Sequence, residues 1–458
     1  MLEYIVMIEN KIKKRLPPSL QILLGFLIII MLGAFLLTLP IANNNGLWLG
    51  FVDSFFTSTS AVCVTGLAVV DTAVQFTLFG QIVILFLIQI GGLGTIVITS
   101  FIFLMLKKKI NFSNRMALKE GLNRDTIQGI VKYLKRVILL TFIIEGIGAL
   151  CLLYSTITYF GSFSKGLFSA VFMSISSFCN AGFDVFGNET MQFASLYPFA
   201  GNVLMQLPIM MLIILGGIGF AILIDGWKNV RSNQHVKIVL VITGILIFAG
   251  AIIFMLAEWN NPETLGNMSV GEKILNSFFQ SITTRTAGAS TINQSGLTFI
   301  GGVTTILLMF VGGAPTSTAG GIKVTTLFLI FVIMFRRCNG NGNIIFKNRK
   351  ISAKIINKTI KIVMYYLLIL IVSIVIVGLI EEKNLSIIQV IFECVSAMST
   401  VGLSMNVTPL LTNISKIIVA LLMFVGRVGM TTIVISLSSK SNQIQDQVEY
   451  INTDIIVG

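Results

Sequence analysis

The chain has 458 residues, of which 55% are hydrophobic and 11% charged, and its formal net charge is +13. So little polar surface excludes a soluble globular protein, and several apolar runs reach the roughly 20 residues needed to cross a bilayer. The positive charge does not mark a nucleic-acid binder, because it sits in short segments between apolar runs.

In chain order, residues 1–19 are read as a cytoplasmic N-terminus and 20–106 as a first repeat. A basic loop follows at 107–136, with nine Lys/Arg against two acids. A second repeat covers 137–224 and a short loop 225–236. The third repeat, 237–335, is followed by a second basic loop, 336–360. The fourth repeat covers 361–437 and a cytoplasmic C-terminus 438–458. The opposite loops are mostly acidic, with Asp53, Asp71, Asp184, Glu189, Glu258, Glu263, Glu272, Glu381 and Glu382. This positive-inside pattern places the basic loops and both termini in the cytoplasm. The apolar run after KIKKR is too long for a signal peptide and is read as the first span. Cys63, Cys151, Cys179, Cys338 and Cys394 form no CxxC pair, and His235 is the single histidine. A His/Cys metal site is therefore not expected, and the thiols read as small hydrophobes.

Each quarter reads as span, short apolar segment, span. Outer spans are predicted at 20–40, 137–158, 237–257 and 361–380, and inner spans at 81–104, 203–224, 303–334 (interrupted) and 416–437. The segments between them, near 50–62, 166–178, 272–284 and 386–398, are about 13 residues long, too short to cross hydrocarbon. Around them one stretch recurs: FFTSTSAVCVTGL, FMSISSFCNAGF, FFQSITTRTAGA and FECVSAMSTVGL. Phe56, Phe172, Phe278 and Phe392 each stand ten residues before a glycine, Gly66, Gly182, Gly288 and Gly402. The fold class is thus an all-α polytopic membrane protein with eight transmembrane helices and four re-entrant pore helices in a pseudo-tetrameric pore.

A dehydrated cation needs oxygen ligands, and backbone carbonyls aimed at an axis supply them. Glycine tolerates the left-handed backbone that such aiming requires. The candidate ion-binding residues are Cys63, Val64, Thr65 and Gly66; Cys179, Asn180, Ala181 and Gly182; Arg285, Thr286, Ala287 and Gly288; and Ser399, Thr400, Val401 and Gly402. Taken singly, each glycine reads more readily as a helix C-cap; the matched Phe, the fourfold recurrence and the flanking spans favour a selectivity filter for a cation. Glycine pairs recur in the inner spans at Gly91–Gly92, Gly216–Gly217 and Gly312–Gly313, whereas the fourth quarter has Gly426–Arg427.

Arg427 falls in the middle of an apolar run, where an unpaired charge costs several kcal/mol. It reads either as half of a buried pair with an acid such as Glu145 or as a cationic barrier beneath the filter. Segment 312–323 breaks the third inner span with Gly312, Gly313, Pro315, Thr316, Ser317, Thr318, Gly320, Gly321 and Lys323. Pro and Gly free backbone groups that protein or pore water must satisfy. Lys323 is expected to meet an acid or cytoplasmic water.

Four span–pore–span units with one filter glycine each resemble the superfamily of Trk, Ktr and HKT cation transporters, over nearly the whole chain. The short N-terminus and the apolar end DIIVG are more similar to the bacterial Ktr membrane subunit. One departure is Ala289, where an aromatic such as Phe183 is expected. The resemblance implies potassium selectivity from four glycines, with sodium as the alternative ion and no organic cofactor. It further implies that 312–323 and Arg427 gate the pore. The partners it implies are a second copy of the chain, one pore per chain, and a cytoplasmic ring of nucleotide-binding regulatory subunits. The expected location is the cell membrane. The chain itself has no GxGxxG after a strand and no GxxxxGK[ST]. An alternating-access carrier would show inverted repeats, but the basic loops fall on one side of every quarter. Glu145 and Arg427 make no recognisable catalytic set, which argues against an enzyme.

Overall fold

The computed structural model describes residues 18–94, 127–226, 234–335, 344–346 and 349–429, with scattered positions between 97 and 122. The two terminal segments, Cys338 and parts of both basic loops lie outside them. The helices come in four sets. The first is α1 (Pro18–Thr38), α2 (Phe51–Cys63) and α3 (Leu78–Leu93). The second is α4 (Ile130–Phe160), α5 (Phe163–Cys179) and α6 (Val203–Ile218). The third is α7 (Gln234–Glu258), α8 (Val270–Thr283), α9 (Phe299–Phe310) and α10 (Val324–Phe335). The fourth is α11 (Ala353–Ile380), α12 (Ile387–Ser399) and α13 (Asn413–Val428).

Among the described residues, α1, α4, α7 and α11 are long and apolar enough to cross a membrane. Each exposes large apolar side chains along one side, among them Phe35, Leu150, Leu256 and Leu379. With no water to bind, such a surface is stable against lipid, and the helix satisfies its own backbone. The short helices α2, α5, α8 and α12 are instead largely buried inside the bundle. A serine fastens three of them to the long helix before: Ser58 donates to Ile30 O at 2.7 Å, Ser174 to Glu145 O at 2.6 Å, and Ser281 to Ile247 O at 2.8 Å. The long helices make room with a glycine: a methyl on Gly33, Gly148 or Gly250 would stand 2.4 Å from those three hydroxyls.

Two expectations change. A two-stranded antiparallel hairpin, Ile344–Phe346 with Arg349–Ile351, adds strand to a fold expected to be wholly helical. The inner helices also stop early. α3, α6 and α13 end at Leu93, Ile218 and Val428, followed by Gly94, Gly219 and Gly429 at φ 91°, 96° and 84°. No helix passes through such a backbone, so all four inner segments break at one level, and the third is not alone in its interruption. Beyond Gly219 the chain makes a π-turn at Ile222–Gly226, where an unbroken span was expected. Most of 95–104 and all of 430–437 lie outside the described residues.

Candidate functional site

The four glycines meet in a closed ring. A methyl on Gly66 would stand 2.4 Å from Ala181 O, one on Gly182 2.8 Å from Ala287 O, one on Gly288 2.4 Å from Val401 O, and one on Gly402 2.0 Å from Thr65 O. Each segment faces the next, and the last returns to the first. No side chain fits at any of these positions.

The local backbone repeats as well. Val64, Asn180, Thr286 and Thr400 have φ of 57°, 60°, 67° and 53°, and two residues later the glycines have φ of 93°, 71°, 78° and 95°. Left-handed, ordinary, left-handed is the alternation that turns successive carbonyls to one side. For β-branched Val64, Thr286 and Thr400 it costs on the order of 1–2 kcal/mol each. Hydrogen bonds behind the turn hold it: Gly66 N donates to Ser60 Oγ and Gly402 N to Ser396 Oγ, both at 3.1 Å, and Ser176 Oγ to Phe183 O at 2.6 Å. Thr65 Oγ1, Thr400 Oγ1 and Asn180 Oδ1 are buried with no hydrogen-bond partner. Unpaired buried oxygen is costly unless a cation takes it.

Three of the four side chains that stand three residues before the glycine turn outward. Ser399 Oγ meets Tyr366 Oη at 2.7 Å, and Cys179 Sγ lies 3.9 Å from Glu145 Oε1. Arg285 reaches back to Thr243 on α7 and to Gly312 O. Any ligand role of these positions therefore belongs to the backbone.

The third segment is one residue shorter than it reads. The buried phenylalanines are Phe56, Phe172, Phe279 and Phe392, while Phe278 is only half-buried, edge-on to Phe248. Counted from Phe279, Ser281 and Thr283 fall on the positions of Ser58 and Ser60, and Ala287 N bonds Thr283 O across four residues. The matching bonds, Thr65 N to Ser60 O, Ala181 N to Ser176 O and Val401 N to Ser396 O, each span five. Phe278 came from a ten-residue count that the FF pair made ambiguous. Thr283 Oγ1 donates to Ala289 O at 2.5 Å, as Ser176 does to Phe183 O, so the Ala289 departure changes a side chain and keeps the backbone bond.

Beneath the ring, the first glycine of each inner pair is a close approach. A methyl on Gly91, Gly216 or Gly426 would stand 2.0 Å from the carbonyl of Val62, Phe178 or Met398, each four residues before its ring glycine. Gly312 instead meets Gly320 O across the loop. The second member of each pair is Gly92, Gly217, Gly313 or Arg427. The Arg427 guanidinium donates to the carbonyls of Thr318 in the loop and Gly91 on α3, and to Gly92 O at 3.2 Å. Its hydrogen bonds go to carbonyls and not to the expected acid. Glu145 is taken by Gln89 Nε2 at 3.3 Å and by Cys179.

The 312–323 loop lies across the same level. Gly312 N bonds Ile322 O at 2.9 Å and Val324 N bonds Gly313 O at 3.1 Å, closing its neck. Its tip hangs on the end of α6 through Ala314 N to Gly217 O, Thr318 N to Gly216 O and Phe220 N to Thr316 O. Ser317 Oγ bonds Ala314 O at 2.6 Å, and Gly320 lies against Thr400 and Ser399. Among the described residues Lys323 pairs with no acid: its ammonium folds back on Ala319 O.

Two carboxylates that hold helix starts were not singled out for a role from sequence. Buried Glu258 and Glu381 each accept from the N–H and hydroxyl of the threonine that caps an inner helix, Thr298 at 2.9 and 2.6 Å and Thr412 at 2.9 and 2.7 Å. The signal was a Glu-x-x-Asn at the end of the outer helix, with Asn261 and Asn384 donating to the second oxygen.

Comparison with known proteins places the chain in a family. The chain is 37% identical to the potassium/sodium uptake protein NtpJ of Enterococcus hirae, over 98% of this chain and 99% of that one. It is 37% identical to the Ktr system potassium uptake protein B of Bacillus subtilis, over 97% of each. The crystal structure of the potassium transporter TrkH from Vibrio parahaemolyticus shares the fold at a TM-score of 0.66 and 17% identity, over 91% of this chain and 85% of that one. With residues 26–446 matching the TrkH cation transport protein family, the chain belongs to that family and is a membrane transporter, not an enzyme.

Proposed function

We propose that this chain carries potassium across the cell membrane through the ring at Gly66, Gly182, Gly288 and Gly402. The closed ring with its alternating left-handed backbone is the observation that carries the reading, because it aims carbonyls where a dehydrated cation needs them. The unpaired oxygens of Thr65, Asn180 and Thr400 add polar lining. The four short helices serve as re-entrant pore helices and the four sets as span–pore–span repeats, with eight crossings and both termini cytoplasmic. The 312–323 loop and Arg427 form the gate beneath the filter, since together they bridge α3, α6 and α13 across its inner side. A ring of nucleotide-binding regulatory subunits, reached through the basic cytoplasmic loops, releases that gate, and the chain works as a homodimer with one pore per copy.

Sodium is the second reading, favoured by a relative named for potassium and sodium uptake alike. Flux into proteoliposomes, comparing potassium, rubidium and sodium with and without a cytoplasmic partner, decides between them. Potassium and rubidium passing well ahead of sodium is the expected result; equal passage of all three overturns the filter assignment.

A further inference from the structure

Arg285 is the buried cation that the gate reading leaves without a task. It leaves the third ring segment just before left-handed Thr286 and runs outward between three elements. Nη1 donates to Thr243 O at 3.2 Å; Nη2 donates to Thr243 Oγ1 and to Gly312 O, each at 3.4 Å. Thr243 belongs to α7, and Gly312 is the residue whose own N–H closes the loop neck on Ile322 O. The adjoining cavity, about 20 Å3, is lined by Ile213, Ile214, Ile247 and Ile282 together with Gly217, Thr243 and Gly313, so Thr243 is the polar side chain that the guanidinium finds there. A charge in such a place is held where its acceptors are.

We propose that Arg285 is a positioning residue that pins the neck of the 312–323 loop to α7 and to the third ring segment. The loop then moves as a tip swinging about a fixed base. The two ends of the loop are held by different cations from different quarters: Arg285 grips the neck at Gly312 O, while Arg427 grips the tip at Thr318 O. Releasing Arg427 frees the tip and leaves the neck in place. The third ring segment is also the one a residue shorter than the others, so it gives least slack between neck and ring. This assignment rests on the gate reading only for its consequence in flux; the pinning itself is a statement about geometry.

Amide hydrogen exchange on the full-length protein in lipid nanodiscs tests it. In Arg285→Gln, the neck amides of Gly312 and Val324 should exchange faster by on the order of tenfold, as expected when a charge-assisted bond is lost. The tip amides of Ala314 and Thr318 should stay within about twofold of the parent. Arg427→Ala should do the reverse. Thr243→Val removes only a hydroxyl acceptor and should loosen the neck in the same direction to a smaller extent; it decides the matter if Arg285→Gln fails to assemble. Neck exchange unchanged in Thr243→Val and in any Arg285→Gln protein obtained overturns the proposal. Potassium uptake measured alongside separates the two ideas: if Arg427→Ala loosens the tip but leaves uptake unchanged, the gate reading falls and the pinned neck stands.

Discussion

The ring and the layer beneath it are built from the same four sets of helices, yet one keeps its symmetry and the other abandons it. At the ring, the left-handed pair of residues recurs in all four segments while the side chains vary. One layer down, Gly92, Gly217 and Gly313 stand at the positions that match Arg427 in sequence, and among the described residues only the third set carries a twelve-residue loop. A backbone job tolerates divergent side chains and demands a common fold. A single bulky obstruction needs only one contributor. On the proposed reading, the difference separates a device that must surround an ion from one that needs only to block it.

The comparison breaks first at the ring. Gly66→Ser and Gly288→Ser each force a side chain to within 2.4 Å of a neighbouring carbonyl from a left-handed backbone. The potassium-to-sodium uptake ratio should fall by on the order of tenfold in either variant as carbonyl placement is lost. A ratio equal to the parent's in both would count against the filter.

Arg427 is the next test, because with the loop of the third set it makes the lower layer asymmetric. Arg427→Ala removes a like charge from a low-dielectric passage and frees Thr318, so partner-free potassium uptake should rise by about fivefold. Shortening the loop within 314–321 should act in the same direction. Poor membrane yield with lower uptake would instead mean that the guanidinium chiefly holds three helices together.

The smallest effect distinguishes the two members of a glycine pair. Gly91→Ala drives a methyl to 2.0 Å from Val62 O and should cost about 1–3 kcal/mol of stability, read as a lower melting temperature. Gly217→Ala meets only Asn180 Nδ2, at 3.7 Å, and should change uptake by less than about twofold. Equal damage from both would show that the second glycine is packing and not open space.

Much of this was legible before any coordinates. The ring glycines, the inner pairs and the odd Arg427 stand at regular spacing, and spacing is what a repeat preserves. Three things were not. The break of α3, α6 and α13 at Gly94, Gly219 and Gly429 was hidden because the apolar composition continues unchanged past each glycine. The shift from Phe278 to Phe279 was hidden by two adjacent phenylalanines, only one of which is fully buried. The acceptors of Arg427 are carbonyls, and a carbonyl has no letter in the sequence, so an acid such as Glu145 was the partner that could be named.

The ring has a seam. Its fourth member touches its first, and there Lys416 Nζ meets Asp53 Oδ1 at 2.7 Å, across 363 positions of chain. While the protein is being made, α2 must wait beside an unfinished wall until α13 leaves the ribosome, with its polar residues facing a gap that nothing yet fills. Contacts this distant are the slowest to form and leave earlier parts exposed meanwhile. A chain truncated before residue 413 therefore loses more than its last quarter, since the remaining three have no edge to close against.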